Sequence, residues 1–301
     1  MCALACVVLA AFVLSFFLNS MIRSRVQKAM NHELKGYHAQ VAKAHFQLVD
    51  LTLTLHGVTI VQNANPKPPV GQIPFLQANL EWHDLFIGHL VGNFVIKNPT
   101  FHIDPAQLEK ERTNKYSLRQ EGWQDALQDI YPFKINRLRI VNARITYIPA
   151  ANPNKPLYLE HFNLQAHNIR NILYPKNTYP SGIYVQSNMF GTGRFGFNGR
   201  ANFLSTPFPG IRARYWMEHV PLGQLEPELK QMNITLQQGT FTSYGVLEYS
   251  PTIEKAHIYD AFINGVQIKY AHKSSTAQLE TQRVREVKKG AEKLNNKPGL
   301  M

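Results

Sequence analysis

Apolar positions change period along this chain, and each change marks a different kind of segment. From Cys2 to Leu18 the run CALACVVLAAFVLSFFL carries no charge. Asn19, Ser20, Met21 and Ile22 extend it to about the twenty residues that a bilayer core demands. Arg23, Arg25 and Lys28 stop it, and an amphipathic stretch follows to about Leu34. Beyond Gly36 and Tyr37 the period shortens to two. In LTLTLHGVTIV, residues 51–61, Leu51, Leu53 and Leu55 share a face, and Gly57 lets the pattern change phase as a bulge or bend does. Further runs predict strands at 75–82, 90–97, 100–104, 134–148, 157–168, 182–190, 193–204, 210–217, 239–249 and 256–270. The stretch from Asn63 to Pro74, with four prolines, reads as a loop. The best helix within this region is Gln120 to Ile130, where Trp123, Leu127 and Ile130 share a face before Pro132 ends it. From Lys273 the spacing is helical again: Ala277, Val284, Val287, Ala291 and Leu294 recur among charged residues, an exposed basic helix ending before Pro298. A solvated tail and one resting on an anionic surface both fit that composition.

The pattern divides the chain into an anchor at 2–22, a β-rich domain at 36–271 and a basic helical or disordered tail at 272–301. A retained transmembrane helix is the first reading of the N-terminal segment. A cleaved signal peptide competes with it, but the charged n-region is missing and Leu18-Asn19-Ser20 is a poor cleavage site. Ala3-Leu4-Ala5-Cys6 faintly resembles a lipoprotein signal, yet there the apolar run precedes the cysteine and here it follows. Only Met1 precedes the run, which leaves a truncated gene start open. Taken alone, the basic flank after the segment places that flank in the cytoplasm.

Composition adds limits. The 301 residues suffice for one large domain or two ordinary ones, and only 17% are charged, which with plentiful Tyr, Phe, Val, Ile and Thr favours strands. A formal charge of +12 suits nucleic acid, anionic lipid or an acidic envelope surface without choosing among them. Both cysteines, Cys2 and Cys6, lie in the apolar run, so the β-rich region holds no disulfide or thiolate site.

Chemical signatures lack their context. Gly191-Thr192-Gly193-Arg194-Phe195-Gly196 matches G-x-G-x-x-G, but Phe190, Phe195, Phe197 and Phe203 around it read as strand and turn with no helix to follow. Among twelve histidines no pair has the H-E-x-x-H spacing, and His45 with His56, His83 with His89, and His161 with His167 are too far apart to be a signature. No serine sits in a G-x-S-x-G elbow, and the acid pairs Glu226 with Glu228 and Glu109 with Glu111 read as loop charge. Arg137, Arg139 and Arg144 lie on one polar strand face rather than in a basic aromatic cluster, which argues against nucleic acid. The residues therefore predict a non-enzymatic protein with no catalytic, cofactor-binding or metal-binding residues and no cofactor.

A weak internal repeat lays Ile96-Lys97-Asn98-Pro99-Thr100-Phe101-His102-Ile103-Asp104-Pro105 on Ile140-Val141-Asn142-Ala143-Arg144-Ile145-Thr146-Tyr147-Ile148-Pro149. His56-Gly57-Val58-Thr59-Ile60 and Asn264-Gly265-Val266-Gln267-Ile268 share a kink followed by a strand. Either similar hairpin units or convergent turn chemistry accounts for both.

The ordered phrases resemble the AsmA-like proteins of the Gram-negative envelope, in particular an uncharacterised branch with an N-terminal inner-membrane helix. Leu34-Lys35-Gly36-Tyr37 followed by Leu51 to Ile60 is similar to that family's opening, and Pro74 to Ala78, Leu85 to Gly88 and Val95 to Pro99 to its next strands. The most specific phrase is Pro132 to Ile145, similar to "P-F-x-I-x-x-L-x-I-x-N-G-x-I" with Ala143 in place of glycine. Asn168 to Asn171, Gly199 to Asn202 and Val220 to Pro227 continue it, so the likeness runs from about residue 2 to 270. The resemblance implies an inner-membrane, single-pass protein with its β-domain in the periplasm, against the flank-charge inference. It also implies a mainly β fold: an elongated curled antiparallel sheet, groove-like as in bridge-like lipid-transfer proteins. The implied partner is membrane phospholipid, handled for envelope maintenance, with Leu138, Ile140, Ile145 and Tyr147 as candidate groove-lining residues. An assembly factor acting on envelope proteins through an edge strand is the alternative, and the oligomeric state stays open.

Overall fold

The computed structural model describes residues 19–32, 34, 36–81, 90–112, 133–150, 152–170, 178–205, 209–225 and 234–270. Most of the anchor at 2–22, the helix expected at Gln120 to Ile130 and the tail at 272–301 lie outside the described residues. Among the described residues no helix is long and apolar enough to cross a membrane.

The period-two segments form strands β1 (Tyr37–Gln47), β2 (Thr52–Gln62), β3 (Gly71–Leu80), β4 (Leu90–Lys97), β5 (Thr100–Ile103) and β6 (Phe133–Tyr147). They continue as β7 (Leu157–Arg170), β8 (Ser181–Met189), β9 (Gly193–Asn202), β10 (Gly210–Pro221), β11 (Ile234–Ser250) and β12 (Ile253–Tyr270). Helix α1 covers residues 19–32 and α2 covers Pro105–Arg112. The short α2 begins where Asp104 Oδ1 accepts the Ala106 N–H at 2.8 Å and Pro105 takes the first helical position. Its buried Gln107 donates to the Asn65 and Pro68 carbonyls, at 2.9 and 2.8 Å, and so pins the proline-rich loop. That loop is shorter than expected, because Gly71 already opens β3 and Pro74 sits within it.

All strands join one sheet in the order β1-β2-β3-β4-β6-β7-β8-β9-β10-β11-β12, with β5 beside β3 and β6. The expectation of a wholly antiparallel sheet is corrected here: β4 and β5 run parallel to β6, and the sheet is mixed. The long connection between Ile103 and Phe133 allows this, since parallel neighbours need a crossover of about a dozen residues or more. The repeated segments turn out to be neighbours in that parallel register, Ile96 beside Ile140, Lys97 beside Val141, Thr100 beside Arg144 and Phe101 beside Ile145. Asn98 and Asn142 both take left-handed backbone, φ 51° and 55°, which asparagine tolerates better than most residues.

These two asparagines belong to a crease that crosses the sheet. Gly57, φ 63°, lies between two register pairs of β2 and β3 and so stands opposite Pro74; Asn98 and Asn142 follow, then His161 (φ 49°) in β7 and His219 (φ 51°) in β10. The register shifts at Ile140/Ala143, Glu160/Asn163 and Met217/Val220 mark the same line. Each extra residue locally raises strand twist. Two apolar clusters lie on one face. Val41, Leu55, Val58 and Ile73 pack with Val26 and Met30 of α1. Ile183, Val185 and Ala201 pack with Phe162, Leu164, Phe195, Phe197, Phe203 and Ile211.

Candidate functional site

Strict alternation would send Leu138 and Ile140 to one face of β6 and Ile145 and Tyr147 to the other. The crease prevents this. Pairing partners in an antiparallel ladder share a face, and Leu138, Ile140, Ile145 and Tyr147 pair with Ala166, Leu164, Leu159 and Leu157. His161 shifts β7 by one residue as Asn142 shifts β6, so all eight side chains lie on one face, with Ala143 opposite Phe162 between them. The structure thus brings the four sequence candidates together. Each is half-buried and retains accessible surface, while Ala143 is buried.

On the opposite face the crease is held by side chains. Asn142 Nδ2 donates to Asn98 Oδ1 at 2.8 Å, and the His161 ring nitrogen Nδ1 lies 2.8 Å from Asn142 Oδ1. Asn163 Oδ1 accepts the Asn142 N–H at 3.1 Å, and its Nδ2 donates to the His161 carbonyl at 2.6 Å. The Asn163 side chain thereby supplies backbone partners that the interrupted ladder lost, while Asn98, Asn142 and the His161 ring are linked side chain to side chain.

Register extends the apolar face well beyond β6. One line runs Ala44, Leu55, Leu76, Ile96, Ile140, Leu164, Val185, Phe197, Tyr215, each beside the next on the neighbouring strand. One residue away, on the other face, the parallel line is His45, Thr54, Gln77, Val95, Arg139, Gln165, Tyr184, Asn198, Arg214. The sheet is therefore two-faced over nine strands, apolar on one side and largely polar on the other.

Ionisable groups gather on the polar side. Arg144 pairs with Glu160 at 3.2 Å and lies over the Tyr158 ring, and Arg194 pairs with Glu218 at 2.8 Å. Tyr244 donates to Glu218 at 3.0 Å and Tyr179 to Glu248 at 2.9 Å, where Arg212 also approaches to 3.9 Å. Burial first, and then the bond to a carboxylate, raise both tyrosine hydroxyls above their ordinary value. Each of these carboxylates has an arginine or tyrosine partner on a neighbouring segment, an arrangement that ties strands together.

The glycine-rich run is strand and turn, as its context predicts. Gly191, φ 91°, lies in the β8–β9 turn, and Gly193 and Gly196 lie in β9. A Cβ at Gly196 would fall 2.2 Å from Trp216 Cζ2, so this glycine makes room for an indole rather than a phosphate. Among the described residues no three His, Cys, Asp or Glu side chains are grouped to hold a metal ion. Glu226, Glu228, His83, His89 and the side chain of Glu111 lie outside the described residues.

Sequence reasoning missed the breadth of the apolar face and the role of the asparagines. The signal was present in Asn98 and Asn142, since an asparagine inside a β pattern followed by reversed alternation marks a bulge. Protein-family models give no match to the chain, and curated proteins give none.

Proposed function

We propose that this chain is an AsmA-like, non-enzymatic protein, anchored in the inner membrane, whose periplasmic sheet holds phospholipid acyl chains against its apolar face. The supporting observation is the nine-strand apolar line beside a polar one, with the crease keeping Leu138, Ile140, Ile145 and Tyr147 on the apolar side. Such a surface shields acyl chains at about 0.8 kcal/mol per CH₂ removed from water, while headgroups stay hydrated. No bond is broken in that task. The test is mass spectrometry of the full chain extracted from membranes in mild detergent. Phospholipid should co-purify and be lost when Ile140 and Ile145 are changed to Asp; a lipid-free wild-type protein would refute the reading.

A second reading rests on the other end of the sheet. Among the described residues β12 has a neighbour on one side only, and Ile258, Tyr259, Phe262 and Ile263 are 56%, 57%, 40% and 44% exposed. An open strand of this kind accepts a strand of an envelope protein by main-chain pairing. Crosslinking from β12 in cells distinguishes the two: recovery of a protein partner favours assembly work, and recovery of lipid alone favours the first reading.

A further inference from the structure

The polar face is not uniformly charged. Three lines start on it at β6, and two of them run to β12. The first holds Arg137, His167, Gly182, Arg200, Arg212, Glu248 and Lys255. The second holds Arg139, Gln165, Tyr184, Asn198, Arg214, Val246 and His257. Six fixed cations in these two lines face one carboxylate, Glu248. The third, beyond the crease, reaches β10 and holds Arg144, Glu160, Asn188, Arg194 and Glu218, two arginines against two carboxylates. The imbalance is therefore confined to one end of the strands, over a width of roughly 29 Å at the usual strand spacing. Arg137, Arg139 and Arg214 are exposed. No ion pair is formed by any of the three among the described residues.

That end also holds the first described residues of α1. The second line continues through Val95, Gln77 and Thr54 to His45. Asn19, the first described residue of α1, has its Nδ2 3.2 Å from His45 Nδ1 and accepts the Phe46 N–H at 2.9 Å. The uncharged residues 2–18 immediately precede it, and Arg23 and Arg25 are exposed just past the first turn of α1. So the basic lines and the first described residue of α1 share one end of the sheet.

We infer that this arginine band is a docking surface for anionic phospholipid headgroups, which seats the sheet at the membrane with its strands' basic end toward the bilayer. The inference rests on the anchored reading above. Charge complementarity selects the occupant, because unpaired exposed arginines gain most beside phosphate, and each basic residue near an anionic membrane changes the docked-to-free ratio by about fivefold. The balanced third line has no such preference.

The test uses the full chain with Cys2 and Cys6 changed to Ser and a spin label at Gln165→Cys, beside Arg139, or at Thr192→Cys, in the exposed β8–β9 turn at the far end. Chains are inserted in nanodiscs of phosphatidylcholine alone or with phosphatidylglycerol, and accessibility to an aqueous paramagnetic reagent is read. The label at 165 should be shielded only in anionic discs, and the label at 192 in neither. Shielding should vanish in about 1 M salt, where the Debye length is about 3 Å. It should vanish in R137Q/R139Q/R214Q, persist in R137K/R139K/R214K, and persist in R194Q. Equal accessibility in both discs, or shielding unchanged by the triple Gln variant, would overturn docking while leaving the anchor intact. A chain that enters neither disc would overturn the anchor and the docking together. Stronger shielding of residue 165 by a single-stranded oligonucleotide than by anionic lipid would assign the band to nucleic acid and overturn the proposal.

Discussion

The two edges of the sheet face the same physical problem and meet it differently. A terminal strand exposes a row of unpaired N–H and C=O groups that invites further strands. At β1 the helix α1 answers with its side chains. Asn31 Oδ1 accepts the Ala39 N–H at 2.6 Å while its Nδ2 donates to the Ala39 carbonyl at 3.1 Å. Gln27 Oε1 accepts the Val41 N–H at 3.1 Å, and Asn19 serves Phe46. Gln27 and Asn31 are one helical turn apart, so one face of α1 reads successive outward amides of the strand. Val26 and Met30 of the same helix cover the apolar cluster beneath. At β12 no described element plays either part, and isoleucine and aromatic side chains stand in solvent. Among the described residues one edge is covered and the other is open.

The sharpest way to break this comparison is to hollow the covered end. Leu55, 4% exposed, sits under α1 among Val41, Val58 and Ile73, and Leu55→Ala should cost about 2–5 kcal/mol in denaturant unfolding. Ile263→Ala on the open strand should cost much less, because Ile263 already contacts water. Equal losses at the two sites would mean that α1 does not seal its end. Removing only the polar cap is the next step down. Asn31→Ala leaves the Ala39 N–H and carbonyl without their partners and should cost about 1–3 kcal/mol, with faster hydrogen exchange at Ala39 as the local readout. No change in exchange at that amide would show that the side chain is not its protector.

A smaller effect separates the strands that lead to the open edge. Tyr179, just before β8, bonds Glu248 of β11, and Tyr244 of β11 bonds Glu218 of β10; both hydroxyls lie above their ordinary value of 10.0 in the fold. A raised value means that the folded state holds the proton more tightly than the unfolded chain. The stabilisation is therefore complete below about pH 10 and falls as pH rises through the folded value. Tyr179→Phe should lose about 0.5–1.5 kcal/mol near neutral pH and show a flatter decline in alkali, followed by unfolding at pH 7 to 11.5. A decline as steep as that of the wild type would remove Tyr179 from the account.

Much of this design was legible before the fold. Eleven of the strands follow from alternation, because a half-buried strand must alternate, and Gly57 announced its phase change in the sequence. β1 was not set apart as a strand. Its apolar positions Ala39, Val41, Ala44 and Phe46 shift phase at Ala42 and are interleaved with lysine, histidine and glutamine. The repeat of Ile96 to Pro105 on Ile140 to Pro149 could be seen, but not that its two lines lie side by side. Parallel pairing depends on the crossover between them, a long-range event with no local signature. The candidates Leu138, Ile140, Ile145 and Tyr147 shared a pattern, whereas their common face depends on the backbone of Asn142 and His161 together. The arginine band was divided among β6, β9 and β10 and became one surface only through register.

The smallest stability change, and the one that decides what the open edge is for, lies on β12. Ile258 is 56% exposed and faces the apolar side opposite Gly245, so Ile258→Lys removes little packing and should change unfolding free energy by no more than about 0.5 kcal/mol. A lysine on an edge strand nevertheless opposes further pairing, since a second strand would have to desolvate the ammonium. The variant should therefore keep wild-type stability while crosslinking from β12 to any protein partner is lost and bound phospholipid is retained. Loss of phospholipid with unchanged protein crosslinks would reverse the assignment. It would mean that the open edge completes the lipid surface, and that the contrast between the two ends reflects cargo rather than partnership.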